Sequence, residues 1–289
     1  MSLITLFTIP KAFTDPHVSL IQRNALASWQ RLAPEVAVLV IGDDPGVADA
    51  AREFGATHVA GVATNDFGTP LLDSAFREAA ARGSGESLCY VNADIVLLDD
   101  FVAAARRLPG EPYLGIGRRW DCDIDEPLDF SGGGALREWA LQHGTLDQGR
   151  GSDYFIFRRE TDFGLPPFAV GRPGWDNWMI GRALELGYPL IDLTGGVVAI
   201  HQNHDYRHVA GATGSATWEG PEAKRNRELA TGIERYVHSP YNATHLLGPN
   251  GLRPARSLKH LRARFEAFVT LRPIARPLHR LVRLARRSR

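Results

Sequence analysis

Residues 87–101 read SLCYVNADIVLLDDF, and this stretch decides the fold. Residues 88–91 form a continuous apolar, β-prone run that stops abruptly at Asn92-Ala93-Asp94, after which apolar residues resume. A short apolar run with no polar alternation is the pattern of a strand buried on both faces, as in a parallel sheet. The flanking sequence supports this. Strands are predicted at residues 3–7, 36–41, 58–59, 88–91 and 113–117, and helices at 20–32, 47–54, 71–81 and 101–108. Strands alternating with helix-period segments give an α/β sheet, whose ligands bind beyond the carboxyl ends of the strands.

Three clusters occupy such ends: Thr8-Ile9-Pro10-Lys11, Gly42-Asp43-Asp44-Pro45-Gly46 and Asn92-Ala93-Asp94. A carboxylate and an amide at a strand end suit a hard divalent cation that keeps waters and phosphate oxygens in its shell. The same two side chains could equally cap the following turn. Further on, residues 166–190 read PPFAVGRPGWDNWMIGRALELGYPL and place Asp176 between Trp175 and Trp178 at a helix start. Met179, Ile180, Ala183 and Leu184 supply the helix's apolar face, and Gly187 ends it. The helix dipole alone accounts for an acid there. Shielding by two indoles would instead raise its pKa and make it a better base. Residues 197–200 form another predicted strand, followed by His201-Gln202-Asn203-His204-Asp205-Tyr206. Two histidines three apart after a strand are candidate metal ligands.

Length and composition bound the rest. The 289 residues are 44% hydrophobic and 23% charged, which excludes a disordered, collagenous or coiled-coil chain. No uncharged apolar run approaches the ~20 residues of a spanning helix. The opening MSLITLFTIPKAF reads as a first strand and not as a secretory leader. Two cysteines, Cys89 and Cys122, make no disulfide framework, so the cytoplasm is the expected compartment. No Walker run, GxGxxG or GxSxG element is present.

In order along the chain, TIP follows strand one, an acidic loop follows strand two, and NAD ends the fourth strand. A Trp-Asp helix start and a strand leading to His then follow. This order resembles the GT-A fold glycosyltransferases, and more narrowly the large family 2 class. Asn92-Ala93-Asp94 stands where that class has Asp-x-Asp, and GWDNWMIGRALELGY is similar to its GEDxDLxxRLxxxGY segment, with Asp176 on the catalytic acid. His201 follows on a strand 25 residues later. The likeness covers residues 3–206 and departs from the class at Asn92, which replaces an Asp, and at Trp175, which replaces a Glu.

The resemblance implies a GT-A three-layer α/β sandwich with a mostly parallel central sheet. It implies a nucleoside-diphosphate sugar donor with its base near Thr8, Ile9, Pro10 and Asp43. The diphosphate would lie at Asn92, Ala93 and Asp94, with Asn65 and Thr69 lining the sugar pocket. Mn²⁺ or Mg²⁺ on Asp94 and His201 would aid the leaving group. Asp176 would deprotonate an acceptor hydroxyl in an inverting, single displacement, with Asp153 and Asp205 as the next candidates for base. Arg118 and Arg119 are candidate phosphate contacts or surface charges. Surface or lipid-linked glycan synthesis would supply a glycan or lipid-linked acceptor. A sugar-phosphate nucleotidyltransferase is the rival reading, but TIPKAFTDP lacks the glycine-rich loop such enzymes open with. A catalytically inactive sugar-nucleotide-binding module is another.

A net charge of zero hides an asymmetry. Residues 252–289 carry 12 Lys and Arg against one acid, Glu266, so the rest of the chain is acidic by about 11 charges. A domain at 1–250 with a basic, amphipathic helical tail at 251–289 follows. Leu258, Leu261, Phe265 and Phe268 fall on one helical face within residues 257–271, and Pro273 and Pro277 interrupt a second segment. This suits peripheral attachment to an anionic membrane surface on the cytoplasmic side. The alternative is that the stripe packs on the acidic body. No recognisable nucleic-acid motif accompanies the basic residues.

Overall fold

Strands β1 (Ile4–Thr8), β2 (Val36–Ile41), β3 (Thr57–Val59) and β4 (Ser87–Val91) lie parallel in the order β4-β1-β2-β3. The computed structural model describes residues 2–132, 134–149, 152–204, 219–230 and 238–271. Beyond β4 the sheet continues through β9 (Tyr154–Arg158), β6 (Leu114–Ile116), β10 (Leu190–Asp192), β12 (His245–Gly248) and β13 (Gly251–Pro254), nine strands in all. β9 runs antiparallel to both β4 and β6, and β13 is antiparallel to β12; the other pairings are parallel.

Alternate residues of each central strand feed different cores, because successive side chains point to opposite faces. Ile4, Leu6, Cys89 and Val91 pack with Ala25, Leu26 and Trp29 of α1 (Pro16–Gln30), with α2 (Val47–Glu53) and with Phe101 of α4 (Asp99–Ala105). Phe7, Leu39, Ile41, Leu88 and Tyr90 pack with α3 (Leu72–Arg82) and with Trp175, Met179, Ile180 and Ala183 of α6 (Trp175–Glu185). The sheet therefore lies between two helical layers. Each large side chain so buried contributes ~1.5–3 kcal/mol against exposure. Both cysteines are buried and unpaired with each other.

A second, four-stranded sheet runs β5 (Ile95–Val96), β11 (Ala199–Gln202), β7 (Arg119–Cys122), β8 (Thr145–Leu146). It has its own core of Val96, Cys122, Ile124, Val198 and Ile200 against Ala140 of α5 (Ala135–His143). Trp29, fully buried, ties it to the main body by donating its indole N–H to the Ile95 carbonyl at 3.0 Å.

Element positions differ from expectation at several boundaries. α1 starts at Pro16 because Asp15 accepts from the Val18 N–H and proline suits the first helical position. α4 starts at Asp99, two residues early, with both acids in its first turn. The strand predicted at 197–200 forms at Ala199–Gln202, so His201 lies inside it rather than after it.

The largest correction concerns the boundary at residue 250. That position falls in the turn of the β12–β13 hairpin, whose four residue pairs join Gly251–Pro254 to the edge of the main sheet. Helix α8 (Leu258–Leu271) then packs on the 3₁₀ turn Pro240–Asn242. Asn242 donates to the Ala263 carbonyl at 3.1 Å, and Arg264 donates to the carbonyls of Ala243 and Ala255 at 2.9 and 2.8 Å. Residues 251–271 thus belong to the same folded unit. Residues 272–289, including Pro273 and Pro277, lie outside the described residues. No described helix is long and apolar enough to cross a membrane.

A chain ending at residue 250 should accordingly be destabilised, not merely shortened. Loss of the hairpin pairing and of the Arg264 contacts is expected to cost ~2 kcal/mol or more, lowering the thermal midpoint by roughly 4–8 °C. An unchanged midpoint in a melting experiment would show that 251–271 is an independent appendage.

Candidate active site

The small sheet exists to bring distant residues together. β5 begins immediately after Asp94, and in the register of this sheet His201 of β11 stands between Ile95 of β5 and Asp121 of β7. Gln202, fully buried, secures the join by donating to the carbonyls of Asp94 (3.1 Å) and Ile21 (2.8 Å) and accepting from Asn24 at 2.9 Å.

The result is a cluster of three donors. Asp94, His201 and His204 each present a ligand atom, all within 4.8 Å of one another. His204 Nε2 is 3.0 Å from Asp94 Oδ2, and His201 Nε2 is 3.7 Å from the same oxygen, too far for a hydrogen bond but close enough to share an ion. His201 Nδ1 lies 2.9 Å from Asp121 Oδ1. The contact is an ion-pair distance without hydrogen-bond alignment, so it would need a small rotation of the ring to orient a metal-bound histidine from its far nitrogen. Asp94 Oδ1 is buried with no hydrogen-bond partner among the described residues, as expected of an oxygen reserved for a cation. Burial pushes the Asp94 carboxyl up, but the His204 hydrogen bond and the charges of His201, His204 and Arg119 outweigh it and hold it near about 2. The donor set therefore fits a divalent ion.

A second acid lines the same cavity of about 1490 Å³. Asp176 sits in the first turn of α6, beneath Gly174 in a left-handed conformation (φ 106°) that only glycine adopts cheaply. Trp175, 7% exposed, stands edge-on to Tyr90 with centroids 5.0 Å apart and walls off one side. Burial pushes the Asp176 carboxyl up to about 6; the Asn177 backbone N–H pulls it down, and the charge of Asp153 pushes it up again.

Of the residues expected at the site, Ile9, Pro10, Thr69, Asn92, Ala93, Asp94, Asp176 and His201 line this cavity. Thr8, Asp43 and Asn65 do not. Thr8 is fully buried in β1. Asp43 accepts from the Gly61 N–H at 2.8 Å and faces the 58–61 segment, while its neighbour Asp44 lines the cavity. Asn65 organises its own loop, accepting from the N–H groups of Phe67 and Thr69, and donates to Glu222 at 2.7 Å. Glu222, on α7 (Pro221–Leu229), accepts from Arg172 Nη2 at 2.6 Å, so Asn65 acts on the cavity through Arg172.

Asn92 does not join the metal donors. Its amide donates to Asp153 at 2.9 Å, and Arg119 bridges Asp153 and Asp121 at 2.8 Å each. Asp153 is thereby committed to a structural network, whereas Asp205 and Tyr206 lie outside the described residues. Arg118 donates to the Tyr241 hydroxyl and the Asp147 carbonyl.

Two cavity residues, Lys11 and Arg172, had no role assigned from the sequence, while His204, a candidate ligand together with His201, joins the donor set. Lys11 is fixed by Gln22, which accepts from its N–H (2.7 Å) and donates to its carbonyl (3.0 Å). Burial lowers the Lys11 ammonium's pKa, Asp94 opposing and Arg172 adding to the effect, so all three charges share one region. The one available signal was position, a lysine just past the first strand.

No protein-family model matches the chain, and the comparison with curated proteins finds no match. Solved structures do resemble it. S. aureus TarS 1–349 in complex with UDP-GlcNAc has a TM-score of 0.51 at 12% identity over 84% of this chain and 67% of that one. Glucosyl-3-phosphoglycerate synthase from Mycobacterium tuberculosis in complex with phosphoglyceric acid has 0.47 at 18% identity over 80% of each chain. Mannosyltransferase PcManGT from Pyrobaculum calidifontis in complex with GDP-Man and Mn²⁺ has 0.43 at 16% identity over 71% of this chain and 58% of that one. The likeness to TarS shows the fold: this chain has a GT-A glycosyltransferase fold.

The raised pKa of Asp176 has a stability consequence. The carboxyl titrates near 6 in the folded chain against 3.8 ordinarily, so folding favours its protonated form. The cost of ionising it is absent below about pH 4, grows through the window between the two values, and reaches ~3 kcal/mol above it. Asp176→Asn removes that cost. The variant is expected to melt higher than the parent at pH 8 and to lose this advantage at pH 4. Equal differences at both pH values would contradict the raised pKa.

Proposed function

We propose that this protein is a metal-assisted, inverting glycosyltransferase that moves a sugar from a nucleoside-diphosphate sugar to an acceptor hydroxyl. The observation that carries the reading is a single cavity lined both by a divalent-cation donor set and by a separate, half-buried carboxylate with its pKa near about 6. The GT-A fold supports the same class. A cavity of about 1490 Å³ exceeds the ~300–1,000 Å³ of typical single-ligand sites, which suits a donor and an acceptor together.

In this reading Asp94, His201 and His204 would hold Mn²⁺ or Mg²⁺. When bound, the ion supplies positive charge to the diphosphate leaving group. Lys11 and Arg172 add fixed positive charge to the same region, and Arg172 is kept in place by Glu222. Asp176 accepts the proton of the acceptor hydroxyl as its oxygen bonds to the anomeric carbon. The carbon–oxygen bond to the diphosphate breaks on the opposite face, and one displacement inverts the configuration. A single base suffices, unlike the paired carboxylates of glycoside hydrolysis. The Trp175 indole beside Asp176 helps exclude water that would otherwise compete as acceptor. We further infer that the acceptor is a glycan or lipid-linked glycan in surface polysaccharide synthesis.

Three measurements test this. First, thermal shifts with UDP-, GDP- and dTDP-sugars should appear with Mn²⁺ or Mg²⁺ and vanish with chelator, since a ligand of the folded state raises stability by RT ln(1 + [L]/Kd). Asp94→Ala should abolish the Mn²⁺-dependent shift, His201→Ala should weaken it less, and Asp121→Asn should cost ~10–100-fold in metal affinity. Normal Mn²⁺-dependent donor binding by Asp94→Ala would refute the metal assignment. Second, Asp176→Asn should lower turnover by ~10²–10⁴ with donor affinity nearly unchanged. Near-parental transfer by that variant would move the base elsewhere. Third, transfer should fall about tenfold per pH unit below the Asp176 pKa of about 6, because the base must be ionised.

A further inference from the structure

Helix α8 has three distinct sides. Its inner side, with His260 and Ala267 buried, packs on the protein. One flank, Lys259, Arg262, Ala263 and Glu266, lines the cavity that holds Asp176. Its remaining side is apolar and exposed: Leu258 is 85% exposed, Leu261 47%, Phe265 48% and Phe268 51%. Leu252 on β13 is also exposed. Among the described residues these five are all the exposed large apolar side chains except Phe67. Large exposed apolar residues normally scatter singly, and a contiguous group of them marks an interaction surface. The stripe expected from the sequence is thus real, but it does not pack on the acidic body.

Charge identifies what covers it. Arg253 and Arg256, just before the helix, are exposed, whereas Lys259 sits over the Tyr241 ring at 3.5 Å and Arg262 pairs with Glu266 at 2.8 Å on the cavity flank. Residues 272–289 add seven arginines and no acid to the sequence. A partner must therefore offer an apolar interior beneath an anionic surface. A second copy of the chain does not. Stripe against stripe would bring two basic segments together, and stripe against the acidic body would find only Phe67 as an exposed apolar counterpart among the described residues.

We propose that the outer side of α8 is a docking surface for an anionic lipid bilayer, with Leu258, Leu261 and Phe265 in the headgroup–acyl boundary and Arg253 and Arg256 on lipid phosphates. Because the adjacent flank of α8 lines the cavity, docking places the cavity beside the bilayer, where a lipid-borne acceptor would lie. That last consequence rests on the glycosyltransferase reading, whereas the docking surface does not.

The test is co-sedimentation of the full chain with vesicles of phosphatidylglycerol and phosphatidylcholine, and with phosphatidylcholine alone, at low and high salt. Binding to the anionic vesicles only, weakened by salt, is expected. Leu261→Glu/Phe265→Glu should reduce it at least about tenfold, and Arg253→Glu/Arg256→Glu should reduce it and flatten its salt dependence. Both double variants change exposed side chains, so their thermal midpoints and Mn²⁺-dependent donor shifts should match the parent's. These shifts report on the glycosyltransferase reading separately. Absence of vesicle binding by the parent, equal binding to neutral vesicles, or undiminished binding by Leu261→Glu/Phe265→Glu overturns the proposal. A parental dimer in gel filtration that the same variant dissolves, with no vesicle binding, assigns the face to a second copy and overturns it too.

Discussion

The pairing of β11 between β5 and β7 is the constraint on which the site depends. These strands are two to four residues long and could not persist alone. They hold because Trp29 and Gln202 lock them to α1, and because Val96, Ile200 and Cys122 bury their own small core. Through this pairing a carboxylate at residue 94 meets an imidazole at residue 201, with Asp121 behind it. A slip of one residue in β11 would turn His201 to the opposite face and remove it from the cluster. The buried Gln202, hydrogen-bonded at both ends of its amide, makes that slip costly.

Charge in the cavity is handled by networks instead of isolated residues. Asn92, Arg119, Asp121 and Asp153 share hydrogen bonds in which each acid has a basic or amide partner. Asn65, Glu222 and Arg172 form a second chain on the other side. Asp94 and Asp176 stand apart from both, and in opposite ways. Asp94 is surrounded by positive charge and stays ionised to about 2, while Asp176 is desolvated and protonates near about 6. Two carboxylates with their pKa values driven apart can serve one cavity in different roles.

Much of this was legible in the sequence, for a physical reason. Strands buried on both faces read as unbroken apolar runs, so β1, β2 and β4 were found nearly to the residue, and with them the strand-end positions of Asp94 and Asp176's helix start. The antiparallel β9 was not anticipated. Its YFIFR run is apolar enough, but pairing with β4 on one side and β6 on the other depends on contacts far away in the chain. β5, β7 and β8 are too short to show any periodicity. Lys11 offered only its place just past β1 and Arg172 no pattern, and their meeting in one cavity is a product of tertiary packing. The expected boundary at 250 failed because the change in charge there is a property of side chains, whereas the β12–β13 hairpin is held by backbone pairing that charge does not report.

The contribution of α8 to the cavity wall also bears on how the protein is made. Ile9 and Glu266 line the same cavity, so its two walls come from opposite ends of the described chain. A ribosome releases the first strand long before α8, and domains acquire their long-range contacts only when the later segment has emerged. Throughout that interval the cavity beside the acid of α6 lacks the wall that α8 contributes. The cavity wall is therefore complete only once the segment through residue 271 has emerged and packed.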